Sequence, residues 1–177
     1  SLDISESMLN IAKERMKILN KKWEFQQADL LKKKLNLKNK ADLIFCFRFL
    51  LHFHPKERNT IYQQAYRNLT ENGFLVFEAM NKRIVKPLRI FVGREKYFVY
   101  DKLYTKKELV QELQKNGFKI IRFYPILKRF YLQSLLSRPF KLLNKKETAI
   151  KIIQFFEKVP STEPYEWLVL AQKMKKN

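Results

Sequence analysis

At 177 residues the chain suits one domain with a core of ordinary size. Apolar residues make up 46% and aromatics 14%, which excludes a disordered chain, while three glycines and six prolines argue against a turn-rich all-β fold. The net charge of +20, from 37 basic against 17 acidic residues, suits nucleic acid, anionic lipid or acidic substrates, or reflects lysines spread over solvated faces. Cys46 is the single cysteine, which excludes an internal disulfide framework and fits a reducing, cytoplasmic compartment. The longest apolar run, Leu43 to Phe53, is broken by Arg48 and falls well short of the roughly 20 residues that span a bilayer.

In chain order, Ser5 to Leu19 is predicted as a helix, with Met8, Ala12 and Met16 on one stripe. Trp23 to Gln27 is a short strand candidate ending at Ala28-Asp29. Ala41 to Phe47 reads as a strand buried on both faces. Lys56 to Leu69 aligns Ile61, Ala65 and Leu69 as a helix, which Asn72-Gly73 is expected to stop before a buried strand over Phe74 to Ala79. Thr105 and Glu108 form a capping box; Val110 and Leu113 supply the buried face of its helix, and Gly117 ends it. Phe118 to Tyr124 follows as a strand, and Glu166 to Lys173 reads as an outer antiparallel strand. Between them, Asn144 to Glu147 is a candidate cap for a helix carrying Ile150, Ile153 and Phe156, stopped by Pro160. Strands alternating with helices predict a single α/β layered domain with a helical excursion over 125–164.

Six segments follow one another at ordinary spacing. They are Asp3-Ile4-Ser5 with Met8-Leu9, Phe25 through Asp29-Leu30, Ala41 through His52-Phe53, Arg67 through Gly73 to Glu78, Leu103 through Gly117-Phe118, and Glu166 to Lys173. Together they resemble the class I S-adenosylmethionine (AdoMet) methyltransferase family over most of the chain. The resemblance implies a Rossmann-like sheet with an antiparallel last strand, and AdoMet as cofactor. The strand and Gly-rich loop that precede Asp3 in that family are not in the sequence. A chain that starts after that loop is therefore expected, and by itself it should not bind AdoMet measurably.

Ligands of open α/β sheets bind outside the carboxyl ends of the strands, near the switch in strand order. On the resemblance, Asp3 accepts from both ribose hydroxyls with Ile4 beside it, although Asp3 can equally serve as a helix cap with Glu6. Asp29 would accept from the adenine amino group with the Leu30 backbone beside the ring, or is a plain turn aspartate. Cys46 and Phe47 would lie against the methionine part of the cofactor, or are small and aromatic core residues. Arg48 offers its donor fork to a carboxylate of cofactor or substrate, or is a solvated arginine at a strand end. His52 is the candidate base for a substrate hydroxyl, the alternative being a loop or packing residue. His52 and His54 lack the further ligands of a zinc site, so no metal is expected.

The resemblance implies methyl transfer to a small-molecule or lipid-like acceptor. Nucleic-acid amino methylation is disfavoured, because Cys46-Phe-Arg-Phe replaces the Asn/Asp-Pro-Pro-aromatic pattern of enzymes acting on exocyclic base amines. The basic, aromatic stretch over 125–164 reads as a lid over an apolar substrate, as a patch for an anionic membrane surface, or as a helix pair packed on the sheet. A different class stays open: a non-catalytic basic module contacting RNA, with Tyr97, Phe98 and Tyr100 among its aromatics. Retention of acidic Asp3 and Asp29 in so basic a chain speaks against it.

Overall fold

The computed structural model describes all residues except 20, 21, 33, 92, 94–99, 176 and 177. Asp3 closes β1 (Leu2–Asp3), and Ser5 caps α1 (Glu6–Met16), its Oγ accepting from the Met8 amide at 3.4 Å. The chain returns through β2 (Gln26–Gln27), which pairs parallel with β1 as a separate two-stranded sheet. It then enters the main sheet through β3 (Ala41–Cys46), and a 3-10 turn (Leu50–His52) leads to α2 (Pro55–Asn68) and β4 (Leu69–Asn81). Next come α3 (Lys82–Phe91), β5 (Leu103–Tyr104), α4 (Lys106–Lys115) and β6 (Phe118–Ile126). A hairpin of α5 (Phe130–Leu142) and α6 (Lys146–Lys158) precedes β7 (Glu166–Lys173).

The main sheet runs β3-β4-β7-β6, with β5 added to the end of β4. β3 and β4 are parallel, and β7 lies antiparallel between β4 and β6. The expected antiparallel strand is therefore present but is not an outer one. Its central place explains why Trp167, Val169 and Ala171 are buried. They meet Tyr62 and Tyr66 of α2, Phe77 of β4 and Leu113 of α4 in one core.

Beside this core Arg58 is buried and bonds Glu112 with two parallel N–H donors, each at 2.8 Å. The hydroxyls of Tyr62 and Tyr104 donate to the same carboxylate at 3.1 and 2.7 Å, so the buried charge is fully solvated by protein. Burial pushes the Glu112 carboxyl up, but the Arg58 and tyrosine bonds outweigh it and hold the group below its usual range.

Several local expectations change. β3 is not buried on both faces: Leu43 is exposed and Phe45 is 60% exposed, because among the described residues only β4 pairs with it. Asn72-Gly73 does not stop α2, which ends at Asn68; the pair sits in an irregularity inside β4, Asn72 taking φ 63°. β2 keeps only two residues of the predicted strand from Trp23. α1 buries Leu9 rather than the Met8 stripe, since strands of two residues give it little sheet to cover. In α4 Leu109, not Val110, joins Leu113 in the core. Asn144 does not cap α6: it takes φ 57° in the turn, and Lys145 occupies the cap position. The Thr105–Glu108 capping box and Gly117 at the C-terminus of α4, with φ 85°, form as predicted.

Candidate functional site

β1 and β2 run side by side, so their carboxyl ends deliver two carboxylates to one edge. Asp3 pairs in register with Gln27, and the Ala28 amide donates to the Asp3 carbonyl at 3.0 Å. Each aspartate is fixed by its own turn. Asp3 Oδ1 accepts from the Ser5 amide at 2.8 Å, and Asp29 Oδ1 from the Leu31 amide at 2.9 Å. Asp3 is therefore not the cap of α1, which is Ser5. Ile4 is exposed, and its carbonyl accepts from Gln27. The Leu30 carbonyl accepts from Gln64 of α2.

At the same end of the main sheet β3 finishes at Cys46, with Phe47 and Arg48 just beyond. Burial, with the Glu78 charge adding to it, pushes the Cys46 thiol up to about 12, so it is a neutral, apolar surface rather than a nucleophile. Phe47 is exposed and leans on Phe45, ring centres 5.5 Å apart. Arg48 has φ 52°, a left-handed backbone held by its amide donating to Glu78 Oε2 at 2.7 Å. Its guanidinium lies 3.9 Å from Glu166, the first residue of β7. Glu166 is buried with Oε1 lacking a hydrogen bond; desolvation first, then the Glu78 charge, raises its carboxyl to about 7 against the opposing pull of Arg48.

His52, at the end of the 3-10 turn, places Nδ1 3.0 Å from Asp101 Oδ1. Asp101 Oδ2 accepts from Arg89 of α3 at 2.6 Å. Asp101 Oδ1 has no hydrogen-bond partner among the described residues, so the imidazole and the arginine-held carboxylate are close without a formed hydrogen bond. His54 instead stacks on Tyr100 at 4.1 Å. Tyr97 and Phe98 lie outside the described residues, as does most of the tract between α3 and Tyr100. Among the described residues no group of His, Cys, Asp or Glu is placed to hold a metal ion, and no helix is long and apolar enough to cross a membrane.

The structure thus gathers Cys46, Phe47, Arg48 and His52 at the main sheet and Asp3, Ile4, Asp29 and Leu30 at the small one. Sequence reasoning missed Glu78, Glu166, Asp101 and Arg89. Glu78 was findable, as a lone carboxylate closing the apolar run Phe74 to Phe77. Asp101 carries no local signal, because only the fold brings it to His52.

Parallel strands, helical crossovers and a last strand inserted antiparallel define the class I methyltransferase type of Rossmann-like sheet. Residues 1–73 match the methyltransferase domain family. Magnesium protoporphyrin IX methyltransferase from Synechocystis PCC 6803 superposes with a TM-score of 0.59 at 16% identity, over 97% of this chain and 62% of that one. An S-adenosylmethionine-dependent methyltransferase from Clostridium acetobutylicum gives 0.64 at 12% identity, over 98% and 74%. The [4+2]-cyclase SpnF shares the fold at 0.63 and 16% identity, over 99% and 65%. The chain spans 62% and 57% of the length of the two magnesium protoporphyrin IX methyltransferase structures it resembles. No curated protein matches the sequence. Over its first 73 residues the chain is similar to the methyltransferase domain family, and its fold is that of the class I AdoMet-dependent methyltransferases.

Proposed function

We propose that this protein serves AdoMet-dependent methyl transfer to a small-molecule or lipid-like acceptor. The observation that carries the reading is the pair of turn-fixed carboxylates, Asp3 and Asp29, at the carboxyl ends of adjacent parallel strands. Asp3 suits the ribose hydroxyls, and Asp29 with the Leu30 backbone suits the adenine edge. Cys46 and Phe47 offer an apolar wall for the methionine part.

When bound, the cofactor supplies a methyl group already activated on a sulfonium, so alignment does most of the remaining work. The chain's residues then have the tasks of holding the acceptor and taking its proton. His52 is the base: the arginine-held Asp101 carboxylate lies 3.0 Å from Nδ1, and Nε2 receives the proton of an acceptor hydroxyl as its oxygen gains the methyl. Arg48, just beyond β3 and near Glu166, can meet an acidic group on the acceptor.

The cofactor-facing residues are divided between two sheets that share no strand pairing among the described residues. On this ground the 177-residue chain by itself binds AdoMet too weakly for calorimetry; micromolar binding would overturn that part. The titration is made on the full-length gene product that carries these residues. In that protein Asp3→Ala and Asp29→Ala each weaken AdoMet binding about tenfold or more, the loss of a charge-assisted hydrogen bond. Unchanged affinity in both would refute the assignment. RNA binding that falls with salt, with no AdoMet binding in the same protein, would favour the basic-module reading instead.

A further inference from the structure

The hairpin α5–α6 is built inside out. The side chains it buries are small or polar: Gln133 and Ser137 on α5 and Ala149 on α6. Gln133 bonds the Lys128 carbonyl and Glu157, so the polar groups are satisfied within the hairpin. Many of the large apolar side chains face water, while Phe130, Phe140, Ile152, Ile153 and Phe156 are half-buried. Leu135 is 69% exposed, Leu142 79% and Phe155 62%. A helix pair made to pack on a sheet would show the reverse.

The side chains along the hairpin are ordered. Exposed Leu132 and Leu136 and half-buried Phe140 recur every fourth residue along α5; Thr148 and half-buried Ile152 and Phe156 do so along α6. With Lys151 and Phe155, all of these but Leu132 flank an open groove of about 410 Å³ between the helices. The rim is basic. Eight basic and two acidic residues lie between 128 and 158. Arg138, Lys141, Lys145, Lys146, Lys151 and Lys158 are all exposed, whereas Glu157 is engaged by Lys128 and Gln133.

We infer that this hairpin docks on an anionic membrane surface, its leucines and phenylalanines entering the headgroup boundary and its lysines meeting lipid phosphates and carboxylates. Apolar side chains on one face with lysine and arginine around them is the pattern of interfacial helices, and neither helix is long enough to span. Charge complementarity selects an anionic bilayer over a neutral one.

The hairpin also stands at the carboxyl end of the sheet. β6, which leads into it, ends at Ile126 opposite Glu166, and the Tyr131 hydroxyl donates to the Ile84 carbonyl of α3 at 2.9 Å. α3 exposes Ile90 and Phe91 on its last turn. A docked surface therefore lies beside the candidate site. That it hands over a lipid-like acceptor rests on the proposed methyl transfer; docking itself does not.

The test is vesicle sedimentation without AdoMet, comparing phosphatidylcholine alone with phosphatidylcholine containing phosphatidylserine. The wild type should pellet with the anionic vesicles only, and high salt should release it. Leu135→Ser with Phe155→Ser, and separately Lys145→Glu with Lys146→Glu, should each lower partitioning about tenfold or more. All four side chains are exposed, so circular dichroism melting should not change, and the two pairs test the apolar and charged contributions independently. Failure to pellet, equal pelleting with neutral vesicles, or variants that partition like the wild type would overturn the inference. A dimer that the Leu135→Ser, Phe155→Ser protein no longer forms, without vesicle binding, would overturn it too and assign the face to a second copy.

Discussion

Glu166 offers a sharp check on the electrostatics of the candidate site, because its replacement by glutamine changes charge with little change of shape. Burial and the nearby Glu78 raise its carboxyl from 4.5 to about 7 in the folded protein. Below pH 4.5 the group is protonated in both states, and the native state keeps its full stability. As pH rises toward 7 the unfolded chain releases this proton first, so stability falls; above about 7 the loss is complete. At about 1.4 kcal/mol per pH unit, the shift amounts to roughly 3 kcal/mol. Glu166→Gln carries no charge at any pH and escapes that loss.

The variant should therefore match the wild type near pH 4 and exceed it by about 3 kcal/mol at pH 8.5, a difference of roughly 6–12 °C in melting temperature for a chain of this size. Urea titrations at the two pH values, followed by Trp167 fluorescence, measure it directly. Trp167 is buried against Phe123, with ring centres 5.9 Å apart, and should report loss of the sheet. Groups remote from Glu166 titrate alike in both proteins and cancel in the difference. A stability gap that stays constant between the two pH values would refute the account of a desolvated carboxyl beside Glu78.

Glu112→Gln should cost about 3 kcal/mol in urea unfolding, because it leaves the Arg58 guanidinium buried without its counter-charge and with one of its two acceptor oxygens gone. Gly117→Ala should cost about 2 kcal/mol or more: φ is 85°, and the new Cβ would come 2.6 Å from the Tyr66 ring. A loss below half a kcal/mol in either would contradict the packing described. Asp101→Asn should lower the rate of methyl transfer about tenfold while leaving AdoMet affinity unchanged. An altered affinity with an unchanged rate would remove Asp101 from the positioning of His52.

What the sequence made legible was whatever depends on local chemistry. The Thr105–Glu108 box, Gly117, and the apolar runs of β4 and β6 each carry their cause within a few residues. Burial of β3 was misread because an apolar run states what a strand prefers, not how many neighbours it obtains. Leu43 and Phe45 are exposed for want of a second partner strand among the described residues. Placing Glu166 to Lys173 at the sheet edge failed for a similar reason: strand order is a long-range property, and β7 pairs over 80 residues back in the chain. At the site, Asp3 and Asp29 were visible through their segments. Asp101 was not, since the His52 contact joins residues 49 positions apart with no motif between them.

One feature of α2 explains how two sheets without shared strand pairing are held together. Asn68 bonds the chain after β2 as a neighbouring strand would: its Oδ1 accepts from the Leu37 amide at 2.9 Å and its Nδ2 donates to the Leu35 carbonyl at 2.9 Å. Gln64 Oε1 accepts from the Leu35 amide at 3.1 Å one turn earlier, and its Nε2 reaches the Leu30 carbonyl. Leu30 adjoins Asp29, so α2 sets the position of one half of the candidate site against the other. Asn68→Leu fills similar volume but strips both backbone bonds, at a cost of about 1–3 kcal/mol for polar groups left without partners. The loss should be local. Hydrogen exchange at Leu35 and Leu37 should accelerate at least tenfold, while Leu75 and Val169 in the main sheet change only with global stability. Uniform acceleration across both sheets would mean that α2 supports the whole core and is not a clamp between halves. Unchanged exchange at Leu37 would mean that the small sheet is held by something other than α2.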